Sequence, residues 1–156
     1  MAKLPRVVID TNHIMSAILS ARGASAKLID WMTGADDCFQ LLLSPPIWRE
    51  YNTVAEWLIP PPQYYEKDRI MKSLRLHALW IEPSIRLDIC VDNDDNRFLE
   101  CAVEGCADYL VTKNIRHFPY KSFENVKIIR IKAFLDILES LYLEATPPTS
   151  LGSVVL

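Results

Sequence analysis

The chain has 156 residues, half of them hydrophobic and about a quarter charged, with a net charge of −3. That length suits one domain with a core of its own, and the composition excludes a disordered chain. It also excludes a global basic field, so any attraction for nucleic acid has to be local.

Arg6–Ile9 (RVVI) reads as a buried strand of a parallel sheet and ends at Asp10. Apolar residues at Ile14, Ala17, Ile18 and Ala21 give Thr11–Ala21 a helical period, and a second helix is predicted across Ser25–Met32 with Gly34 near its stop. Phe39–Leu43 is a second apolar strand. Ser44 and Pro45 follow as helix cap and first helical residue, opening a helix through Ile47, Tyr51, Val54 and Leu58 that ends at Pro60–Pro62. Gln63–His77 is a more charged helix with Tyr64, Ile70, Leu74 and Met71 turned inward, followed by a short strand at Leu79–Ile81. An acidic stretch, VDNDDN at 91–96, then opens a helix reaching about Cys106. Strands are predicted at Asp108–Val111 and Val126–Ile131, and a last amphipathic helix at Ala133–Leu143. Residues 1–145 form the domain, and 146–156, with Pro147, Pro148 and Gly152, read as a flexible tail whose apolar end could dock on a partner.

The four cysteines lack C-x-x-C spacing and the three histidines are scattered, which argues against structural zinc and for reduced thiols in a cytoplasmic protein. No apolar run approaches the ~20 residues that span a bilayer, and no secretory signal precedes the first strand.

Strands alternating with helices imply an α/β layered fold with a mostly parallel sheet, whose strand carboxyl ends share one edge. Asp10 directly follows the first strand. Glu50 lies early in the helix after the second, Asp92, Asp94 and Asp95 sit at a loop-to-helix junction, and Asn114 stands just beyond the DYLVT strand. A site at that edge would gather Asp10, Glu50, Asp95 and the Asn114 amide. Like charges ~4 Å apart repel by roughly 4 kcal/mol at an effective dielectric near 20. The crowding therefore calls for a positive partner, either a helix N-terminus or a divalent cation. Several oxygens without a soft ligand suit Mg²⁺ or Mn²⁺. Taken singly, each acid could equally be a cap or a surface charge.

The segments VVIDTN (7–12), SPPIWREY (44–51), DDNRFLECA (94–102) and DYLVTKNIRHF (108–118), in this order and spacing, resemble the PIN domain family of metal-dependent nucleases, which includes VapC-like toxins of toxin–antitoxin pairs. The resemblance covers roughly residues 5–130 and implies a PIN-like three-layer α/β/α fold. It implies an Mg²⁺- or Mn²⁺-dependent endoribonuclease acting on RNA in the cytoplasm, a homodimer, and a small antitoxin protein as partner. By position, Asp10, Glu50 and Asp95 match the family's metal-binding acids. Asn114 takes the fourth position, where an acid is common, so it contributes an oxygen but no charge. Thr11, Asn12 and Thr112 match polar positions that order the acids or the phosphate. Asp94 is assigned as the cap of the acidic helix and Asp92 as an outer metal candidate.

Residues 113–132 hold six cations against the one acid Glu124, and Lys113 and Arg116 beside the acidic edge are candidates for contacting substrate phosphate. Lys67, Arg69, Lys72 and Arg75 form a second basic run that could equally be a solvated face. His117 and Phe118 could stack on a base or serve as cap and core residue. Trp57, Tyr64 and Tyr65 are candidate dimer contacts. The alternative to an enzyme is a catalytically weak or inactive PIN-like module that binds RNA or protein, for which Asn114 would be the mark. An EF-hand reading of 92–103 fails, because Arg97 replaces the required glycine and Val103 the closing glutamate.

Overall fold

The computed structural model describes residues 3–34 and 38–145; the tail expected at 146–156 lies outside the described residues. The elements are β1 (Arg6–Ile9), α1 (Thr11–Leu19), α2 (Ala24–Thr33), β2 (Gln40–Leu43), α3 (Pro45–Leu58), α4 (Tyr64–His77), β3 (Leu79–Trp80), α5 (Asn93–Glu104), β4 (Tyr109–Val111), β5 (Ser122–Phe123), β6 (Val126–Ile129) and α6 (Ile131–Ala145). Single 3₁₀ turns occupy Pro61–Gln63 and Ile115–His117.

Six strands form one sheet in the order β3-β2-β1-β4-β6-β5, parallel except for β5 against β6. Val7–Ile9, Leu41–Leu43 and Leu110–Val111 are wholly enclosed, which explains their unbroken apolar runs. Helices flank the sheet: α5 lies against β1, β2 and β4, α1 packs on α2, α3 and α4, and α2 reaches α6. The expected α/β fold with a mostly parallel sheet is thus the observed one.

The chain runs outward from β1 through β2 to β3, then returns to place β4 on the other side of β1. The order reverses between β1 and β4, where open α/β sheets leave a crevice beyond the strand carboxyl ends. Val7, Val8 and Ile9 align with Tyr109, Leu110 and Val111, so Asp10 and Thr112 leave their strands side by side at that point.

Several boundaries move. The first helix stops at Leu19 rather than Ala21, and the last begins at Ile131, which the sequence pattern assigned to a strand. Tyr64 is 43% exposed instead of turned inward, because it opens α4, where the first turn projects past the core. The two-residue strand β5 has no sequence pattern of its own. It exists because Glu124 and Asn125, both at positive φ, reverse the chain onto β6.

At the end of α5, Gly105 keeps an ordinary negative φ, and the left-handed residue is Cys106, at φ 53°. Gly105 serves space instead: a Cβ there would stand 2.7 Å from Leu42 Cδ1 and 3.0 Å from the Cys101 carbonyl.

Candidate active site

The site is built on the β1–β4 switch point. The Asp10 amide donates to the Val111 carbonyl (3.0 Å), and the fully buried Thr112 hydroxyl donates to Asp10 Oδ2 (2.7 Å). The same hydroxyl accepts the Asn114 amide at 3.0 Å. Asp10 occupies the N-cap position of α1 without a side-chain capping bond, so capping does not account for its carboxylate. The Thr11 and Asn12 amides nevertheless favour its charged form.

α3 brings Glu50. Ser44 caps this helix by accepting the Ile47 amide, with proline in its first turn. The fully buried Tyr51 donates its hydroxyl to the Ile9 carbonyl, tying α3 to the last residue of β1. Glu50 Oε2 accepts the hydroxyl of buried Thr11.

α5 brings Asp95. Its cap is Asp92, whose Oδ1 accepts the Asp94 amide at 3.0 Å. This corrects the assignment of that role to Asp94: the helix begins two residues earlier, at Asn93, so Asp94 falls in its first turn and is exposed. Asn96, fully buried one residue beyond Asp95, accepts the amides of Ile89 (3.0 Å) and Cys90 (2.9 Å) and so locks the preceding loop onto the helix. Asp95 Oδ2 is enclosed and lacks an aligned hydrogen-bond donor; His117 Nδ1 approaches it to 3.3 Å.

The three carboxylates feel one another. Burial pushes Glu50 up to about 6, held back by the Thr11 bond and raised further by Asp94, Asp10 and Asp95. Burial also takes Asp95 to about 6, with Asp10 and Asp92 adding to the shift and His117 opposing it. Asp10 is raised by burial against the pull of Thr112. Three half-buried acids that share a field and meet few cations are a poor arrangement for a bare protein.

Among the described residues no three His, Cys, Asp or Glu side chains converge tightly enough to form a closed metal cluster. An open arrangement still suits a hard cation that keeps several waters and takes one or two carboxylates from the protein. The enclosed oxygen of Asp95, approached only by the His117 ring without an aligned bond, and the all-oxygen set of Asp10, Glu50 and Asp95 fit such an ion.

The other predicted residues fall into two groups. Thr11 and Thr112 bond the acids directly, and half-buried Asn114 heads the 3₁₀ turn that carries His117. Asn12, Lys113 and Arg116 are exposed at the same edge, with Lys113 Nζ donating to Ser16 Oγ on α1 (3.0 Å). Phe118 is buried as a core residue. On α4, Arg69 pairs with Glu66 and Lys67 sits 4.5 Å over the Tyr64 ring, so two of the four cations of this run are engaged locally.

Sequence reasoning missed the parts played by Tyr51, Asn96 and His117. Asn96 had a signal: it shares the inward face of α5 with Leu99 and Glu100, where an uncharged polar residue needs buried partners. For Tyr51 and His117 no local signal exists, since their partners lie 42 and 22 positions away.

Residues 6–116 match the PIN domain family. An uncharacterised protein of Methanocaldococcus jannaschii is 31% identical over 107 residues, spanning 65% of this chain and 66% of that protein, just under two thirds of its length. PIN domains are in general nucleases that use divalent metal ions. The matched stretch holds Asp10, Glu50, Asp95 and Asn114, and the fold and the family match agree: this chain belongs to the PIN domain family.

Proposed function

We propose that the protein is an Mg²⁺- or Mn²⁺-dependent endoribonuclease that hydrolyses phosphodiester bonds of RNA as the toxin of a toxin–antitoxin pair. The observation that carries the nuclease reading is the trio Asp10, Glu50 and Asp95 at the β1–β4 switch point, with Asp95 Oδ2 enclosed and lacking an aligned donor.

A divalent ion, when bound, neutralises the phosphate and lowers the pKa of water in its shell. Asp10, Glu50 and Asp95 would hold it, and Thr112 and Thr11 keep two of these acids oriented through their hydroxyls. A carboxylate oxygen not engaged by the ion takes the proton from the attacking water. Lys113 and Arg116 supply positive charge to the flanking phosphates. Asn114 lowers the negative charge of the site relative to an acid there, which favours one ion over two.

The toxin role, the antitoxin partner and a homodimer rest on the resemblance of the motifs, with exposed Trp57 and Tyr65 available for a subunit contact. A second reading, a PIN-like binding module with little turnover, is favoured by Asn114 alone.

Purified protein should cut single-stranded RNA with Mn²⁺ or Mg²⁺ and lose this activity in Asp10→Ala without loss of fold. RNA binding that is equal with and without metal, and never followed by cleavage, would leave the binding-module reading in its place. A small partner gene beside this one and growth arrest on expression would support the toxin role. Absence of both would remove it.

A further inference from the structure

The loop after the Ile115–His117 turn carries an aromatic pair that the acidic site does not use. Tyr120 stacks on Phe123, with ring centroids 5.9 Å apart and planes inclined by 23°. Phe123 in turn packs against the core, yet Tyr120 remains 55% exposed. Strand pairing fixes the level at which residue 120 stands along the sheet. The Lys121 carbonyl accepts the Ile128 amide, and Ile128 and Ile129 align with Leu110 and Val111 of β4. Residue 120 is therefore level with the carboxyl ends of β4 and β1, on the same edge as Asp10. β5 stands three strands from β1, so this lateral separation is about 14 Å at ~4.8 Å per strand.

Two exposed cations flank Tyr120 in the chain, Arg116 in the preceding turn and Lys121 directly after it, and His117 between them reaches Asp95. A half-exposed ring backed by a second ring, flanked by cations and level with a phosphodiester-cleaving centre, has the chemistry of single-strand binding: phosphates on the cations, a base on the ring. A duplex keeps its base faces stacked inside the helix and cannot offer one to a protein ring.

We propose that Tyr120 is a stacking platform for an unpaired base of the RNA strand held at the acidic site, which restricts the protein to single strands. The proposal rests on the nuclease reading for the position of the scissile phosphate. Arg116 and Lys121 grip the intervening backbone, and Phe123 holds the Tyr120 ring rigid so that little side-chain entropy is lost on stacking.

The test measures equilibrium binding of a labelled single-stranded RNA oligonucleotide to the full chain in Ca²⁺, together with cleavage kinetics in Mn²⁺. Base–aromatic stacking is worth ~1–3 kcal/mol by alanine substitution, a change of about 5- to 150-fold in affinity. Tyr120→Ala and Tyr120→Leu should both weaken binding by such a factor, raise KM and leave kcat and Mn²⁺ affinity unchanged. Tyr120→Trp should bind within about twofold of the wild type. Leucine keeps apolar cover over Phe123, so a loss in Tyr120→Leu at unchanged melting temperature separates stacking from folding. Wild-type affinity in Tyr120→Leu, or equal affinity of the wild type for duplex RNA, would overturn the platform while leaving the nuclease reading standing. Binding without cleavage, lost in Tyr120→Leu, would retain the platform and remove the nuclease reading. A wild type that neither binds nor cuts RNA with either metal would end both.

Discussion

Thr112→Val isolates the contact that orders the acidic site. The side chain is fully buried, and valine nearly matches its shape but lacks the hydroxyl. Two bonds disappear together: the 2.7 Å donation to Asp10 Oδ2 and the 3.0 Å acceptance from the Asn114 amide. A hydrogen bond to a charged group contributes about 1.5–3 kcal/mol. Water can reach half-buried Asn114, so the loss of its acceptor falls at the low end of about 1 kcal/mol. The expected destabilisation is therefore about 2–4 kcal/mol by chemical denaturation in EDTA. The hydroxyl also favours ionised Asp10, so its removal raises the Asp10 pKa beyond the increase that burial already imposes. If Asp10 binds metal as a carboxylate, Mn²⁺ affinity should fall about 10- to 100-fold, as for other groups that orient a ligand. The deficit should narrow as pH is raised, because a higher pH offsets a raised Asp10 pKa. Calorimetric titration at pH 6 and at higher pH reads this directly. A variant that loses stability but binds Mn²⁺ like the wild type at pH 6 would reduce Thr112 to a folding contact and refute the argument for Asp10.

Other consequences are equally open to measurement. Glu50 and Asp95 keep their protons up to about pH 6 in the metal-free native protein but release them near pH 4 when unfolded, so their contribution to stability is present below pH 4 and lost as pH rises through 6. His13 opposes this: burial, with Lys113 nearby, lowers it to about 4, so its contribution is present above pH 6.5 and lost as pH falls toward 4. The difference in melting temperature between Mn²⁺ and EDTA cancels the His13 effect; it should be small at pH 5 and large at pH 7.5, and a pH-independent difference would disprove metal binding by these acids. Asn96→Ala leaves the Ile89 and Cys90 amides without their acceptor, and urea denaturation should show a loss of about 2–5 kcal/mol. Cys106→Gly relieves the left-handed conformation at φ 53° and should add about 0.5–1 kcal/mol by the same assay, whereas Gly105→Ala should destabilise by crowding Leu42.

Much of this protein was legible because its signals are local. Unbroken apolar runs marked the buried strands, Ser44–Pro45 marked the start of α3, and an acid directly after β1 marked the edge where a site could form. The family likeness followed from the same short segments. Positions governed by distant partners were not legible. The exact cap of α5 depended on where the loop from Leu87 to Cys90 is pinned, and Asn96 and Glu100 do that pinning from inside the helix. Strand β5 and the level at which Tyr120 stands came from pairing with β6, not from any pattern in residues 118–123. The meeting of His117 with Asp95, and of Thr112 with Asp10 across 102 positions, depended on the reversal of strand order between β1 and β4. Periodicity reports which face of an element is buried; only the assembled sheet decides which side chains from separate elements share a crevice, because that is set by pairing register and crossover direction.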